Sequence, residues 1–204
     1  MASKIIVDQL EKTGGALAAL TLPVANATAN QYIKNDGAGA LSWASLPESG
    51  LFSGYALFAD QKTQNTGGGT FTLGAWRQRD LNTTIANTDT TNIVLGTNQF
   101  TLLAGSYFIQ WQSPAHYVEA NQTRLYDVTG AASVAVGTSA YTFVGHPAYA
   151  YEGPSKGVAR VTPSGSTVYR IEHYSSGTMA TTGFGFQSNI DTEQYTTVSI
   201  FKEL

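Results

Sequence analysis

The sequence predicts an all-β sandwich or jelly roll, and three observations carry that expectation. From Leu51 to the C-terminus, strand-sized runs alternate apolar and polar residues with a period of two. Gly, Pro, Asn and Ser separate these runs at short intervals, as in sandwiches and jelly rolls. No amphipathic helical pattern lasts beyond two turns.

Residues 1–50 have a different texture. "KIIVDQLEK" reads as a short strand or a helical turn whose Ile5, Ile6, Val7 and Leu10 need cover. The Gly-, Ala-, Asn- and Pro-rich stretch that follows buries too little apolar surface to fold alone, so pairing between copies or docking on a partner must order it. "NDGAG" (Asn35 to Gly39) between "QYI" and "ALSW" predicts a small hairpin.

The strands follow in order: "GYALFAD"; "QFTLLAGSYFIQWQSPA", two strands hinged at Ala104-Gly105; then "TRLYDV", "ASVAVGTSAYTFVG", "KGVARVTP", "STVYRIEHY" and "YTTVSIFKE". Alternation puts Tyr107, Ile109 and Trp111 on one face of their strand. It separates Val168, Arg170 and Glu172 from Tyr169, Ile171 and His173.

Composition narrows the function. Of 204 residues, 12% are charged, about half the usual share, and Thr, Ser, Asn, Gly and Tyr fill the gap. Such surfaces suit fibres and adhesins better than cytosolic enzymes. A net charge of −3 without a basic block gives nucleic-acid binding no support. The absence of cysteine removes disulfides, thiolate catalysis and cysteine metal sites. "MASKIIVDQLEK" lacks the apolar core of a secretory signal, and no apolar run approaches the roughly 20 residues of a membrane span.

Catalytic sets are hard to assemble. His116, His146 and His173 have no Gly-x-Ser-x-Gly elbow to serve. A glycosidase pair would have to come from Glu119, Asp127, Glu152, Glu172, Asp191 or Glu193, which read instead as solvated strand ends. His116 and His146 with a carboxylate could bind metal, yet no ligand spacing supports it. The expectation is a protein without enzymatic activity, cofactor or metal.

Two stretches stand out. In "GHPAYAYEGP" (Gly145 to Pro154), Tyr149 and Tyr151 are either exposed binding anchors or residues packed on a sandwich rim or subunit contact. In "GGGTFTLGAWRQRDLNT" (Gly67 to Thr83), Phe71-Thr72-Leu73 reads as a short strand and Trp76 as a plug of the sandwich. Arg77 or Arg79 then reaches a carboxylate or backbone carbonyls, tying down an irregular segment.

These blocks, with "GTFTLGAWRQRDLNT", "TRLYDVTG", "VGTSAY", "YRIEHY" and "GFGF", resemble over roughly residues 54–204 a domain of bacteriophage tail fibres and other virion proteins. That domain is similar to the complement globular head and tumour necrosis factor. The resemblance implies a ten-stranded jelly roll that forms homotrimers, and no catalytic set. It also implies that Trp76, Arg77, Arg79 and Asp80 are framework. At "EHY" (Glu172 to Tyr174) the chain departs from relatives that often carry a cysteine. Residues 1–50 look like the short leader of phage fibre proteins, with Ile5, Ile6, Val7 and Leu10 anchoring to the particle.

A jelly roll of this type brings its termini together at one end. Ser113–Asn121, Gly145–Pro154 and Ser175–Gln194 then meet at the opposite tip, with Tyr117, His146, Tyr149, Tyr151 and Met179 as receptor-binding residues for a host glycan or protein. The functional expectation is a short trimeric tail or baseplate fibre, made in the host cytoplasm and displayed on the virion. The alternative is a decoration or cement protein on the major capsid lattice, and a weaker one an enzyme degrading host polysaccharide. Neither nucleic acid nor membrane insertion is expected.

Overall fold

The computed structural model describes residues 9–10, 20–45, 50–142 and 153–204, and the chain divides into two units, Met1–Gly50 and Leu51–Leu204. Ile5, Ile6, Val7, His146, Tyr149, Tyr151 and Glu152 lie outside the described residues.

In the first unit, β1 (Gln9–Leu10) pairs antiparallel with β2 (Leu20–Thr21). β3 (Gln31–Asn35) and β4 (Leu41–Ser45) form the expected hairpin, with Ile33 opposite Trp43. Its turn is closed by side chains: Asn35 Oδ1 accepts from Gly37 N at 2.7 Å, and Asp36 Oδ1 from Ala38 N and Ala40 N at 2.8 and 3.0 Å. Gly37 and Gly39 supply the positive φ angles, 86° and 98°, that the turn needs. The Trp43 indole donates to Ala25 O at 2.6 Å. Among this unit's residues with a described side chain, none is buried, and Val24, Tyr32 and Ile33 are exposed. The hairpin is therefore locally specified yet has no core of its own.

The second unit is a sandwich of two antiparallel sheets. Its strands are β5 (Phe52–Lys62), β6 (Arg77–Gln78), β7 (Thr83–Asn87), β8 (Ile93–Leu95), β9 (Phe100–Leu102), β10 (Tyr107–Ser113), β11 (Glu119–Asp127), β12 (Ala132–Thr142), β13 (Ser155–Val161), β14 (Thr167–Ser175) and β15 (Glu193–Glu203). One sheet runs β13-β10-β15-β5-β7 and the other β12-β11-β14-β9-β8, with β6 added to β14. No helix occurs among the described residues.

The jelly-roll connectivity shows in the crossings. β9 and β10 are adjacent in sequence but lie in opposite sheets, joined over the hinge at Gly105, whose φ is 152°. β5 and β15, the first and last strands, pair antiparallel, with Phe52 opposite Glu203. Alternation decides what faces inward. Tyr107, Ile109 and Trp111 of β10 are buried with Ala56, Phe58, Val198 and Ile200 from its sheet and Phe100, Leu125, Tyr169 and Ile171 from the other. Trp111 Nε1 donates across the sandwich to Thr123 Oγ1 at 2.8 Å.

Three expectations change. Phe71–Leu73 is no strand: Phe71 makes one isolated bridge to Met179. Trp76 does not plug the sandwich: it is half-buried on the outward face, its ring 5.6 Å from Tyr174. The fully buried member of its motif is Arg79. The ten strands of the two sheet paths are joined by an eleventh, β6, among the described residues.

Candidate functional site

Strand register fixes the tip. Ser113 pairs with Ser155, Glu193 with Lys62, Asn121 with Ser175 and Glu119 with Thr142, so these strand ends share one end of the sandwich. Phe52, Glu203, Tyr107 and Val161 mark the other end. The described parts of the three expected loops therefore emerge together. A fourth joins them, since Gly68, Gly69 and Phe71 donate to carbonyls of Gly185, Thr181 and Met179 at 2.9, 2.8 and 2.9 Å.

The tip has a small core beneath it. Phe71, Ala115 and Val118 are buried, with Met179 and Phe184 packed against them. Phe71 stacks on Phe184 at 4.4 Å and lies 4.9 Å from the His173 ring. Met179 is therefore half-buried in packing rather than displayed. Tyr117 is also half-buried, held at a φ of 56°, its ring 6.2 Å from His116.

Arg79 reaches this core from below. Its Nε donates to Thr196 Oγ1 and its Nη2 to Phe184 O, each at 2.7 Å, and Phe184 covers the guanidinium at 4.3 Å. The carbonyl tie expected of the motif is thus made by Arg79. Arg77 is exposed, and among the described residues its Nε donates to Thr72 O at 3.4 Å. Asp80 pairs with Lys62 Nζ at 2.9 Å, and the same ammonium lies 3.1 Å from buried Asp60. Burial raises the Asp60 carboxyl above its ordinary value, with Lys62 opposing.

Two histidines complete the underside. His173 is fully buried, its Nε2 2.9 Å from Asn121 Oδ1. Burial, then the charge of Arg79, pushes it well below its ordinary pKa, so the ring is neutral. His116 is buried too, Nδ1 3.1 Å from Thr182 Oγ1 and the ring 4.9 Å from Phe186. Burial lowers its pKa.

Two carboxylates are not the solvated strand ends that sequence predicts. Glu193 is buried because it accepts from the amides of Asn65, Ser188 and Asn189 at 3.1, 2.8 and 2.7 Å, which hold its pKa down against burial. Glu172 is buried because two arginines meet it: Arg124 Nη2 at 2.6 Å and Arg170 Nη2 at 2.5 Å. Among the described residues, no three His, Asp or Glu side chains stand together as metal ligands.

Sequence reasoning missed two large apolar residues that the tip exposes among the described residues. Phe186 and Ile190 are 52% and 83% exposed. Phe186 lines a hollow of about 380 Å³ with Gln112, Pro114, Pro154, Glu193 and Tyr195. The signal lay in the chain: a single isoleucine within the polar run "QSNIDTEQ" has nothing local to pack on.

No family model matches the chain, and no curated protein matches it. Among solved structures, the chain is similar to the globular domain of zebrafish complement 1qA, at 12% identity over 73% of this chain and 96% of that one, with a TM-score of 0.46. It is similar to the PRD1 vertex protein P5, at 12% identity over 76% and 100%, with a TM-score of 0.47. A third is murine APRIL, at 4% identity over 72% and 98%, also with a TM-score of 0.47.

Proposed function

We propose that the chain is a non-enzymatic virion structural protein: a short bacteriophage tail or baseplate fibre. Its trimeric jelly-roll head binds the host surface and its N-terminal segment attaches to the particle. One observation carries the reading. The outward face of β10, β15 and β5 bears an aromatic row, Phe108 opposite Phe201 and Phe201 opposite Tyr55, with Phe52 5.1 Å from Phe201. A second apolar surface lies along edge strands β12 and β13, where Val136, Tyr141 and Val158 are 58–63% exposed. Two unlike apolar surfaces on one molecule suit a heterologous contact, which closes into a ring when repeated by rotation.

Further support comes from the sequence blocks that resemble phage fibre domains, and from the coreless hairpin of the first unit, which needs a partner surface. A host-binding tip gains avidity when repeated around an axis. Tyr117, Phe186 and Ile190, with His146, Tyr149 and Tyr151 from the sequence between β12 and β13, are the residues we assign to contact. Ile5, Ile6, Val7 and Leu10 are assigned to the anchor.

Gold-labelled antibody against the chain, imaged on intact particles, tests the reading. We expect label on the tail. Label distributed over the shell would instead make it a decoration protein on the major capsid lattice, and absence of label from particles would overturn both.

A further inference from the structure

Trp76, Arg124, Tyr126 and Arg170 form a stacked row on the outward face of the sheet β11-β14. The Arg124 guanidinium carbon lies 4.2 Å from the Trp76 ring centre and 4.7 Å from that of Tyr126, and Arg170 lies 5.1 Å from Tyr126. Tyr174 extends the row beside Trp76 at 5.6 Å and is 38% exposed. Cross-strand register makes this arrangement, with Arg124 opposite Glu172 and Tyr126 opposite Arg170.

Glu172 sits at the centre and orients both cations. Its Oε2 accepts from Arg124 Nε at 2.7 Å and its Oε1 from Arg170 Nε at 2.7 Å, with the two Nη2 atoms alongside. Each guanidinium thereby spends one edge. No hydrogen bond from either Nη1 to another described residue is present. Two cations against one carboxylate leave the cluster at +1, on a chain whose net charge is −3. The other outward positions of β11 and β14 are Ala120, Gln122, Val168 and Tyr174, none of them acidic; the two further acids of β11, Glu119 and Asp127, stand at its ends and off this face.

We propose that this face is a binding site for a carboxylated saccharide. The exposed Tyr174 ring, beside half-buried Trp76, suits the C–H face of a sugar ring, and the free guanidinium edges suit a carboxylate, which accepts from planar N–H donors in the manner Glu172 already displays. A surplus of one positive charge matches one carboxylate per sugar, whereas a phosphate dianion calls for more. Stacking and pairing hold both arginines in place before any ligand arrives, so little conformational entropy remains to be lost on binding. The site deepens the host-attachment reading and rests on it, but lies on the flank of the sandwich rather than at the tip.

The test titrates the full chain with oligogalacturonate, oligosialate and heparosan fragments, and in parallel with methyl-esterified oligogalacturonate and phosphomannan. We expect at least one carboxylated fragment to bind, with affinity at least tenfold above the ester and above phosphomannan, and weakening as salt rises. Arg170→Gln and Tyr174→Ala should each weaken binding at least tenfold. Unchanged melting of Tyr174→Ala keeps the result readable if Arg170→Gln disturbs folding. No binding of any carboxylated fragment, equal binding of the ester, preference for phosphomannan, or binding unaffected by both variants would each overturn the site. Adsorption of the fluorescent chain to host cells separates the two readings: retained adsorption with failed titrations removes this site alone, and loss of both removes host attachment as well.

Discussion

Arg79 lies beneath Phe184, its guanidinium carbon 4.3 Å from the ring centre, while its Nη2 donates to that residue's own carbonyl at 2.7 Å. The same side chain holds Thr196 Oγ1, which in turn donates to Ser113 Oγ at 3.2 Å. One buried cation therefore joins the segment after the glycine run, the tip loop and two central strands. A lysine has neither the fork nor the flat face to replace it. We expect Arg79→Lys to cost about 2–4 kcal/mol, from lost charged hydrogen bonds and a carbonyl left unsatisfied. Urea denaturation measures this, and a loss below about 0.5 kcal/mol would show that the tie is not structural.

The histidines under the tip give stability a pH dependence. Unfolded, each takes a proton near its ordinary value of 6.5, whereas burial lowers both in the fold. The unfolded chain therefore binds more protons below that value. Their contribution is complete above pH 6.5 and is lost as pH falls toward the folded values, by at most about 1.4 kcal/mol per pH unit for each. Facing His173 are Asn121, Phe71 and the cation of Arg79; facing His116 are Thr182, Phe186 and Tyr117. Asp60 works in the opposite direction, since its carboxyl is raised by burial. Denaturation midpoints between pH 7.5 and 5 should fall, and His173→Gln should remove the larger part of the slope, because its pKa is depressed further than that of His116. Parallel slopes for variant and parent would exclude His173 as the source.

Trp76 shows where sequence reading reached its limit. Which member of its motif is buried depends on β6 joining β14, a pairing of two residues that no local pattern announces. Glu172 follows the same logic. Alternation placed it outward with Arg170, and only the β11–β14 register brings Arg124 alongside to bury it. β7 and β8 lie in "TTIANTDTTNIVL", too rich in Thr, Asn and Asp to show alternation, and edge positions ask for little more. By contrast "NDGAG" specified its hairpin, because its turn is closed by Asn35 and Asp36 within the segment itself.

Gly157 is required by packing. It pairs with Trp111 across β10 and β13, and a Cβ there would run into the indole's six-membered ring. Trp111 cannot retreat without breaking its bond to Thr123. Gly157→Ala should therefore destabilise the sandwich by about 1–3 kcal/mol, as overpacked cores do, and shift Trp111 fluorescence. Wild-type stability would mean that the indole has another place to go.

The aromatic row on the outward face of β10, β15 and β5 yields the last prediction. Tyr55 is 40% exposed and Phe52 42%, and opposite partners Phe108 and Phe201 are half-buried beside them. Full burial of such a ring from water is worth roughly 1.5–3 kcal/mol, and covering the part still exposed here contributes a fraction of that for each. Covering them in a neighbouring copy, against Val136, Tyr141 and Val158 of its edge strands, removes both apolar surfaces at once. Sedimentation equilibrium of the full chain should therefore report a trimer. Phe108→Glu should dissociate it, because an unpaired carboxylate in the contact costs more than one ring's burial returns. Tyr141→Glu, on the opposite surface, should dissociate it equally well. The comparison tests the heterologous geometry itself. In an isologous contact built on the aromatic row alone, Tyr141→Glu would leave the assembly intact, and a monomeric parent would remove the contact altogether.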